Sequence, residues 1–244
     1  MTFCYDLKNM NREYHKWYSS RLNRDMELLV FGHAGTPVLV FPTSMGRFFE
    51  YSDRGMIDAV AGKIERGELQ FFCVDGVDSE SWYNKGIHPA DRVRRHMQYE
   101  DYLVNEVMPF LRHRNWSPRR VATGCSFGGY HCVNFALKHP DLITDCISMG
   151  GAFNIKQFLH GYYDDNCYYN NPPDYLHNLA DDDWRRKLYN NFILVTGEHD
   201  MCLDENFRLA RIMGKKHIPH VLDVWANGTA HDWPWWHNMA RKFF

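Results

Sequence analysis

Val121-Ala122-Thr123-Gly124-Cys125-Ser126-Phe127-Gly128-Gly129-Tyr130 lies near the middle of a chain of 244 residues. It contains Gly-x-Ser-x-Gly with Ser126 at the centre. Arg120 to Thr123 reads as the end of a short strand. Tyr130 to Lys138, apolar on most sides, reads as a buried helix. A strand, a tight glycine-bearing turn and a helix together form the context in which this motif is a nucleophile elbow. The serine has to sit on a strained turn with its hydroxyl exposed, so neighbouring backbone must pass close by. Gly124 and Gly128 lack the Cβ atoms that would clash there. The helix that follows points free N–H groups and the positive end of its dipole at the place where an oxyanion would form.

The composition frames this stretch. Apolar residues make up 45% of the chain and aromatic residues 16%, enough for a sizeable core and an aromatic-lined pocket. The net charge is −2, which argues against nucleic acid as a partner, since such surfaces need clustered Lys and Arg. The run Arg92-Val93-Arg94-Arg95 is short and reads as a solvated helix face. Met1 to Met10 is polar and has no apolar region of the signal-peptide kind. No apolar stretch reaches the length of a membrane span. Seven cysteines without metal-ligand spacing read as reduced thiols, with Cys73, Cys125 and Cys146 in core strands. A cytoplasmic location is expected from this. The histidines are scattered and no His-x-x-x-His or Cys-x-x-Cys cluster occurs, so neither a metal nor an organic cofactor is expected. An oligomer of like chains is compatible with the sequence.

Outward from the elbow, strands and helices alternate. Residues 11–33 read as an antiparallel hairpin, with a turn from Arg21 to Asp25. Val38-Leu39-Val40-Phe41 is a continuous apolar run, the mark of a buried strand, and ends in Pro42-Thr43-Ser44-Met45-Gly46. Phe48 to Arg66 reads as a helix, and Gln70 to Asp75 as the next strand. A long loop follows, Gly76 to Ala90, carrying Asp78, Ser79, Glu80, Trp82 and Tyr83; loops of this length at a strand's carboxyl end are usually functional. The helix from Asp91 to about Arg112 places Tyr99, Leu103, Val107 and Phe110 on one face. After the elbow come a strand at Thr144 to Met149, another at Phe192 to Thr196, a helix at Glu205 to Lys216, a strand at His220 to Trp225, and a last helix from Asp232. Residues 152–190 interrupt the alternation with Tyr-, Asn- and Pro-rich sequence and read as a cap inserted over the site. The expected fold is α/β: one domain over 1–244, a mostly parallel sheet with helices on both faces, and ligands at the carboxyl ends of the strands.

A serine hydroxyl needs a base, and the base needs a carboxylate to orient it. The strand Phe192 to Thr196 runs into Gly197-Glu198-His199-Asp200, and His220 to Trp225 into Ala226-Asn227-Gly228-Thr229-Ala230-His231-Asp232. Both segments leave the sheet at the edge that carries the elbow. Ser126, Asp200 and His231 then follow the chain order of an α/β-hydrolase triad. Glu198 and Asp204 are the alternatives for the acid. His237 lies within the last helix and His220 at the wrong end of its strand, which favours His231. One oxyanion donor is expected to be the N–H of Phe127. The other should come from the loop after Phe41, with Thr43 first and Ser44 next.

Gly124-Cys125-Ser126-Phe127-Gly128-Gly129-Tyr130, followed by Ala136-Leu137-Lys138-His139-Pro140-Asp141, resembles the elbow of the esterase family that includes S-formylglutathione hydrolase (esterase D), the antigen 85 mycolyltransferases, and feruloyl and acetylxylan esterases. Gly197-Glu198-His199-Asp200 and Gly228-Thr229-Ala230-His231-Asp232 resemble its acid and histidine loops. The similarity runs from about Pro37 to the end of the chain. Many members have His-Gly or Asp-Gly where this chain has Phe41-Pro42, and the second oxyanion donor stays open on that account. The resemblance implies a serine carboxylic-ester hydrolase without metal or organic cofactor, acting on a small-molecule ester. An acyltransferase with the same triad and a catalytically silent binding protein on the same fold are the alternatives. The aromatic residues Trp82, Tyr83, Tyr162, Tyr163, Tyr168 and Tyr169 are expected to line the acyl or alcohol pocket.

Overall fold

A computed structural model describes residues 10–189 and 191–244. Of the N-terminal stretch read above, all but Met10 lies outside the described residues, as does residue 190 at the end of the expected cap. Eight strands form one sheet among the described residues: β1 (Arg12–Ser19), β2 (Arg24–Phe31), β3 (Thr36–Phe41), β4 (Leu69–Val74), β5 (Val121–Cys125), β6 (Asp145–Met149), β7 (Asn191–His199) and β8 (His220–Ala230). Their spatial order is β1-β2-β4-β3-β5-β6-β7-β8. The hairpin β1–β2 is antiparallel and joins β4 antiparallel; every other pairing is parallel. The longer helices are α1 (Pro89–Tyr102), α2 (Met108–Arg114), α3 (Phe127–Lys138), α4 (Leu203–Lys215) and α5 (Trp233–Phe243). This is the architecture expected from the alternation.

Successive residues of a strand point to opposite faces, and both faces of this sheet are covered. Leu39, Phe41, Phe72 and Val74 join one core, with residues of α1, α3 and α4. Val38, Val40, Phe71 and Cys73 join the other, with Trp236, Met239 and Ala240 of α5. Helices on both faces explain why Val38 to Phe41 is apolar at every position. Because α3 follows β5 in the middle of the sheet, its entire length from Phe127 to Leu137 is buried.

Several boundaries differ from expectation. The helix expected from Phe48 to Arg66 is three short turns, Glu50–Asp53, Met56–Ala59 and Ala61–Glu65. Gly55, at φ +77°, breaks it. The helix from Asp91 begins earlier, with Pro89 in its first turn and the His88 side chain capping the Ala90 N–H. It then widens into a π-helical segment, Leu103–Val107, before α2. Pro109 lacks an N–H and its ring crowds the preceding turn, and a widened turn relieves both problems. The extra residue rotates the buried face to Leu103, Val107, Met108 and Leu111 and leaves Phe110 only half-buried. β7 and β8 run on through segments read as loops. Their pairing continues to His199↔Ala230 across an irregularity after Gly197, with Asn227 and Gly228 at φ +61° and +80° making the turn in β8. Residues 152–189 are short helical turns anchored in the first core by Phe153, Ile155, Phe158, Tyr175 and Leu176.

Candidate active site

The turn between β5 and α3 holds Ser126 at φ +56°, ψ −122°, a backbone conformation that costs a non-glycine residue on the order of 1–3 kcal/mol. Its own peptide groups hold it there. The Ser126 N–H donates to the Met149 carbonyl at 2.9 Å, and the Ser126 carbonyl accepts from Gly129 N–H at 2.9 Å and Ala152 N–H at 3.1 Å. The glycines are needed by contact. A Cβ on Gly124 would lie 2.3 Å from the Gly128 carbonyl, and one on Gly128 2.6 Å from the carbonyl oxygens of Phe41 and Pro42. The start of α3 therefore lies directly against the end of β3, and the loop after β3 comes beside the serine.

His231 Nε2 is 2.9 Å from Ser126 Oγ, and His231 Nδ1 is 2.8 Å from Asp200 Oδ1. The neutral tautomer with its proton on Nδ1 satisfies both contacts: Nδ1–H donates to the carboxylate and Nε2 accepts from the hydroxyl. The extended pairing of β7 with β8 brings His199 opposite Ala230 and so sets Asp200 beside His231. The indole of Trp236, one turn into α5, meets the His231 ring edge-on with centroids 4.9 Å apart. The Asp200 side chain has no solvent exposure. Burial alone would raise its carboxyl, but the hydrogen bonds from His231 and from the Cys202 N–H (2.8 Å) outweigh burial and hold it below the ordinary carboxylate range.

Of the other candidates for acid and base, Glu198, His237 and His220 have partners elsewhere. Glu198 accepts the Gly228 N–H at 2.6 Å. Asp204 is exposed in the first turn of α4. His237 Nε2 lies 2.6 Å from the Arg54 carbonyl, and His220 Nδ1 lies 2.8 Å from that of Ile218. Cys125, beside the serine, is fully buried, and burial pushes its thiol well above the ordinary range. Asp200, Cys202 and His231 offer potential ligand atoms within 4.8 Å of one another. Burial pushes the Cys202 thiol up to about 12, so it is not a thiolate at neutral pH. The facing atoms of Asp200 and His231 are already bonded to each other, which makes this a poor cation site.

At the expected oxyanion position the N–H of Phe127, first residue of α3, has no hydrogen-bond partner among the described residues. Thr43 requires a correction. Its N–H donates to Glu50 Oε2 at 2.8 Å, and its hydroxyl to Glu50 Oε1 at 2.8 Å. Met45 N–H donates to Asp78 and Gly46 N–H to the Thr43 carbonyl. Among the backbone N–H groups of residues 43–46, Ser44's is the one without a partner among the described residues. Glu50 lies seven residues on, in a segment read as a continuous helix, so its reach back to Thr43 had no signal in the sequence.

The aromatic residues divide. The Tyr83 hydroxyl donates to Ser44 Oγ at 2.7 Å, and its ring meets Phe127 edge-on at 5.7 Å. Trp82 is fully buried against His96, Tyr130 and Phe158. It is a core residue, which corrects its expected place on a pocket wall. Tyr162 donates to Asp164 at 2.8 Å and Tyr163 to Asp174. Tyr168 accepts from Asn178 at 2.7 Å, and Tyr169 is 60% exposed with its ring edge-on to Tyr168. The hydroxyl bonds of Tyr162, Tyr163 and Tyr168 all stay within the 152–189 segment.

A model of the family described as "Putative esterase" matches residues 19–240. The chain belongs to the esterase family. It is an enzyme of that class, a carboxylic-ester hydrolase. The fold is shared with a ferulic acid esterase (17% identity, TM-score 0.76, 96% of each chain covered). It is also shared with S-formylglutathione hydrolases of Staphylococcus aureus (15% identity, TM-score 0.75, 96% of this chain and 94% of that one) and Agrobacterium tumefaciens (14%, 0.74, 96% and 93%). No curated protein matches the sequence. Among the described residues of this esterase, no helix is long and apolar enough to cross a membrane.

Proposed function

We propose that this esterase works through an acyl-enzyme on Ser126, with His231 as general base and acid and Asp200 as the acid of the triad. The observation that carries the reading is the unbroken chain of contacts Ser126 Oγ–His231–Asp200, at 2.9 and 2.8 Å, on a serine held at positive φ. Ser126 Oγ attacks the ester carbonyl while its proton moves to His231 Nε2. The N–H groups of Phe127 and Ser44 receive the oxyanion, at the positive end of α3. Collapse of the tetrahedral species transfers the proton from His231 to the departing alcohol. Water, deprotonated by the same His231, then releases the acid. Asp200 keeps the imidazole in the reactive tautomer and stabilises its charged form.

The substrate of this reading is a small-molecule ester, with Tyr83 on the wall beside the oxyanion donors. The 152–190 segment acts as a cap on one 1–244 domain. A cytoplasmic location belongs to the same proposal, on the reading of the seven cysteines as reduced thiols.

p-Nitrophenyl esters of increasing acyl length, assayed with and without alcohol acceptors, test the reading. Wild-type turnover and its loss in a folded Ser126→Ala are expected, by a factor of about 10³ or more. A folded Ser126→Ala with wild-type turnover would refute the nucleophile. Product partitioning into a new ester rather than free acid would make an alcohol, not water, the acceptor.

A further inference from the structure

Asp78 and His131 form a buried pair that no step above uses. His131 Nε2 lies 2.9 Å from Asp78 Oδ1, with the two side chains 5% and 4% exposed. Asp78 Oδ2 accepts the Met45 N–H at 3.1 Å. Met45 sits at φ +58°, in the left-handed region, where a long side chain is strained and needs surrounding contacts to hold it. The carboxylate thus holds the strained residue of the oxyanion loop at its N–H.

Ser44 stands between two clamps. On one side Glu50 binds the Thr43 N–H, and on the other Asp78 binds the Met45 N–H. Peptide units are planar and turn only about φ and ψ. Holding the units on both sides therefore restricts the one between, which carries the Ser44 N–H. The loop that bears Asp78 reaches the same place a second time. Tyr83 N–H donates to the Asp78 carbonyl at 2.9 Å, and the Tyr83 hydroxyl donates to Ser44 Oγ. His131 belongs to α3, the helix that begins at the nucleophile. Its ring packs edge-on to Phe127 at 4.9 Å and stacks on Phe41 at 6.0 Å. The pair therefore links the helix carrying one expected oxyanion donor to the loop carrying the other.

We infer that Asp78, held by His131, is a positioning residue that aims the Ser44 N–H at the oxyanion. The inference rests on the proposed role of Ser126. One buried side-chain hydrogen bond is a modest source of stability, whereas misdirecting one oxyanion donor raises the barrier to reaction directly.

Asp78→Leu keeps much the same size but offers no acceptor, so the Met45 N–H loses its partner and His131 Nε2 loses its contact. The probe is a trifluoromethyl ketone of the best acyl length. Ser126 Oγ adds to its carbonyl carbon, the carbonyl oxygen becomes the oxyanion, and the serine proton passes to His231. The expected result, read on folded enzyme well below its melting transition, is kcat lower by about 10–100-fold with KM changed less than about 2-fold. The Ki of the ketone should rise in proportion to the loss in kcat/KM. His131→Phe, which removes the contact to Asp78 and keeps a ring, should move the same quantities in the same direction and carries the test if Asp78→Leu does not fold. A variant that loses only thermal stability, with kcat and Ki as in wild type, would overturn the inference. Full turnover by Ser126→Ala would instead refute the nucleophile, and the two failures are distinguishable.

Discussion

Asp200 is where the site can be tested residue against residue. It is fully buried and bonded to His231, while Asp204, in the first turn of α4, is exposed. Asp200→Asn should lower kcat by about 10³–10⁴-fold, because an amide neither fixes the imidazole tautomer nor stabilises its cation. Asp204→Asn should leave kcat unchanged and cost at most about 0.5 kcal/mol, the favourable effect of an anion at a helix start. Both variants assayed on one activated ester decide between them; the assignment fails if Asp204→Asn is the crippled enzyme. The contact of Ser126, His231 and Asp200 was legible because each residue follows an expected strand, and their chain order fits one known arrangement. Thr43 was chosen over Ser44 because nothing local tells which of two adjacent N–H groups is free. The answer depends on Glu50, which reaches Thr43 only after the chain turns. Asp78 was visible in its loop, but its partner His131 lies 53 residues on.

Between elements, Glu100 of α1 ties that helix to the end of α3. His139 Nε2 lies 2.7 Å from its Oε1, and Lys138 bonds its other oxygen. Burial would raise the Glu100 carboxyl, but the bonds from His139 and Lys138 outweigh it and bring the pKa down to about 2. A carboxyl depressed in the folded state stabilises fully above its unfolded value, near 4.5. The contribution, on the order of 3 kcal/mol at most, is lost as pH falls from there toward 2. Glu100→Gln should therefore destabilise the protein at neutral pH by about 1–3 kcal/mol and flatten the decline in stability below pH ~4.5. Denaturant unfolding of both forms across that range checks it; equal stability at neutral pH would contradict it. Element boundaries were the least legible feature. Helical periodicity continues through Gly55 and Pro109, so the break and the π turn do not interrupt the pattern that marks the helix. β7 and β8 overran their apolar runs because strand pairing continues through Gly197, where a Cβ would lie 2.1 Å from the Thr229 carbonyl.

Over the whole molecule, the parallel strands open their carboxyl ends toward one edge, and the elbow, the acid and the histidine reach it from β5, β7 and β8. That convergence was legible from alternation alone, since strands separated by helices must run parallel. The wall of the substrate site was not. Composition identifies aromatic residues without saying which way they face, and Trp82 turned into the core while Tyr83, its neighbour, turned to Ser44. The central claim is that this convergence makes Ser126 a nucleophile. Incubation with a fluorophosphonate, followed by peptide mass mapping, tests it directly: an activated serine displaces fluoride and keeps the phosphonyl group. The account predicts one adduct per chain, on the peptide containing Ser126, none in Ser126→Ala, and much slower labelling in His231→Ala. An active enzyme that takes up no label, or carries it on another residue, would contradict it.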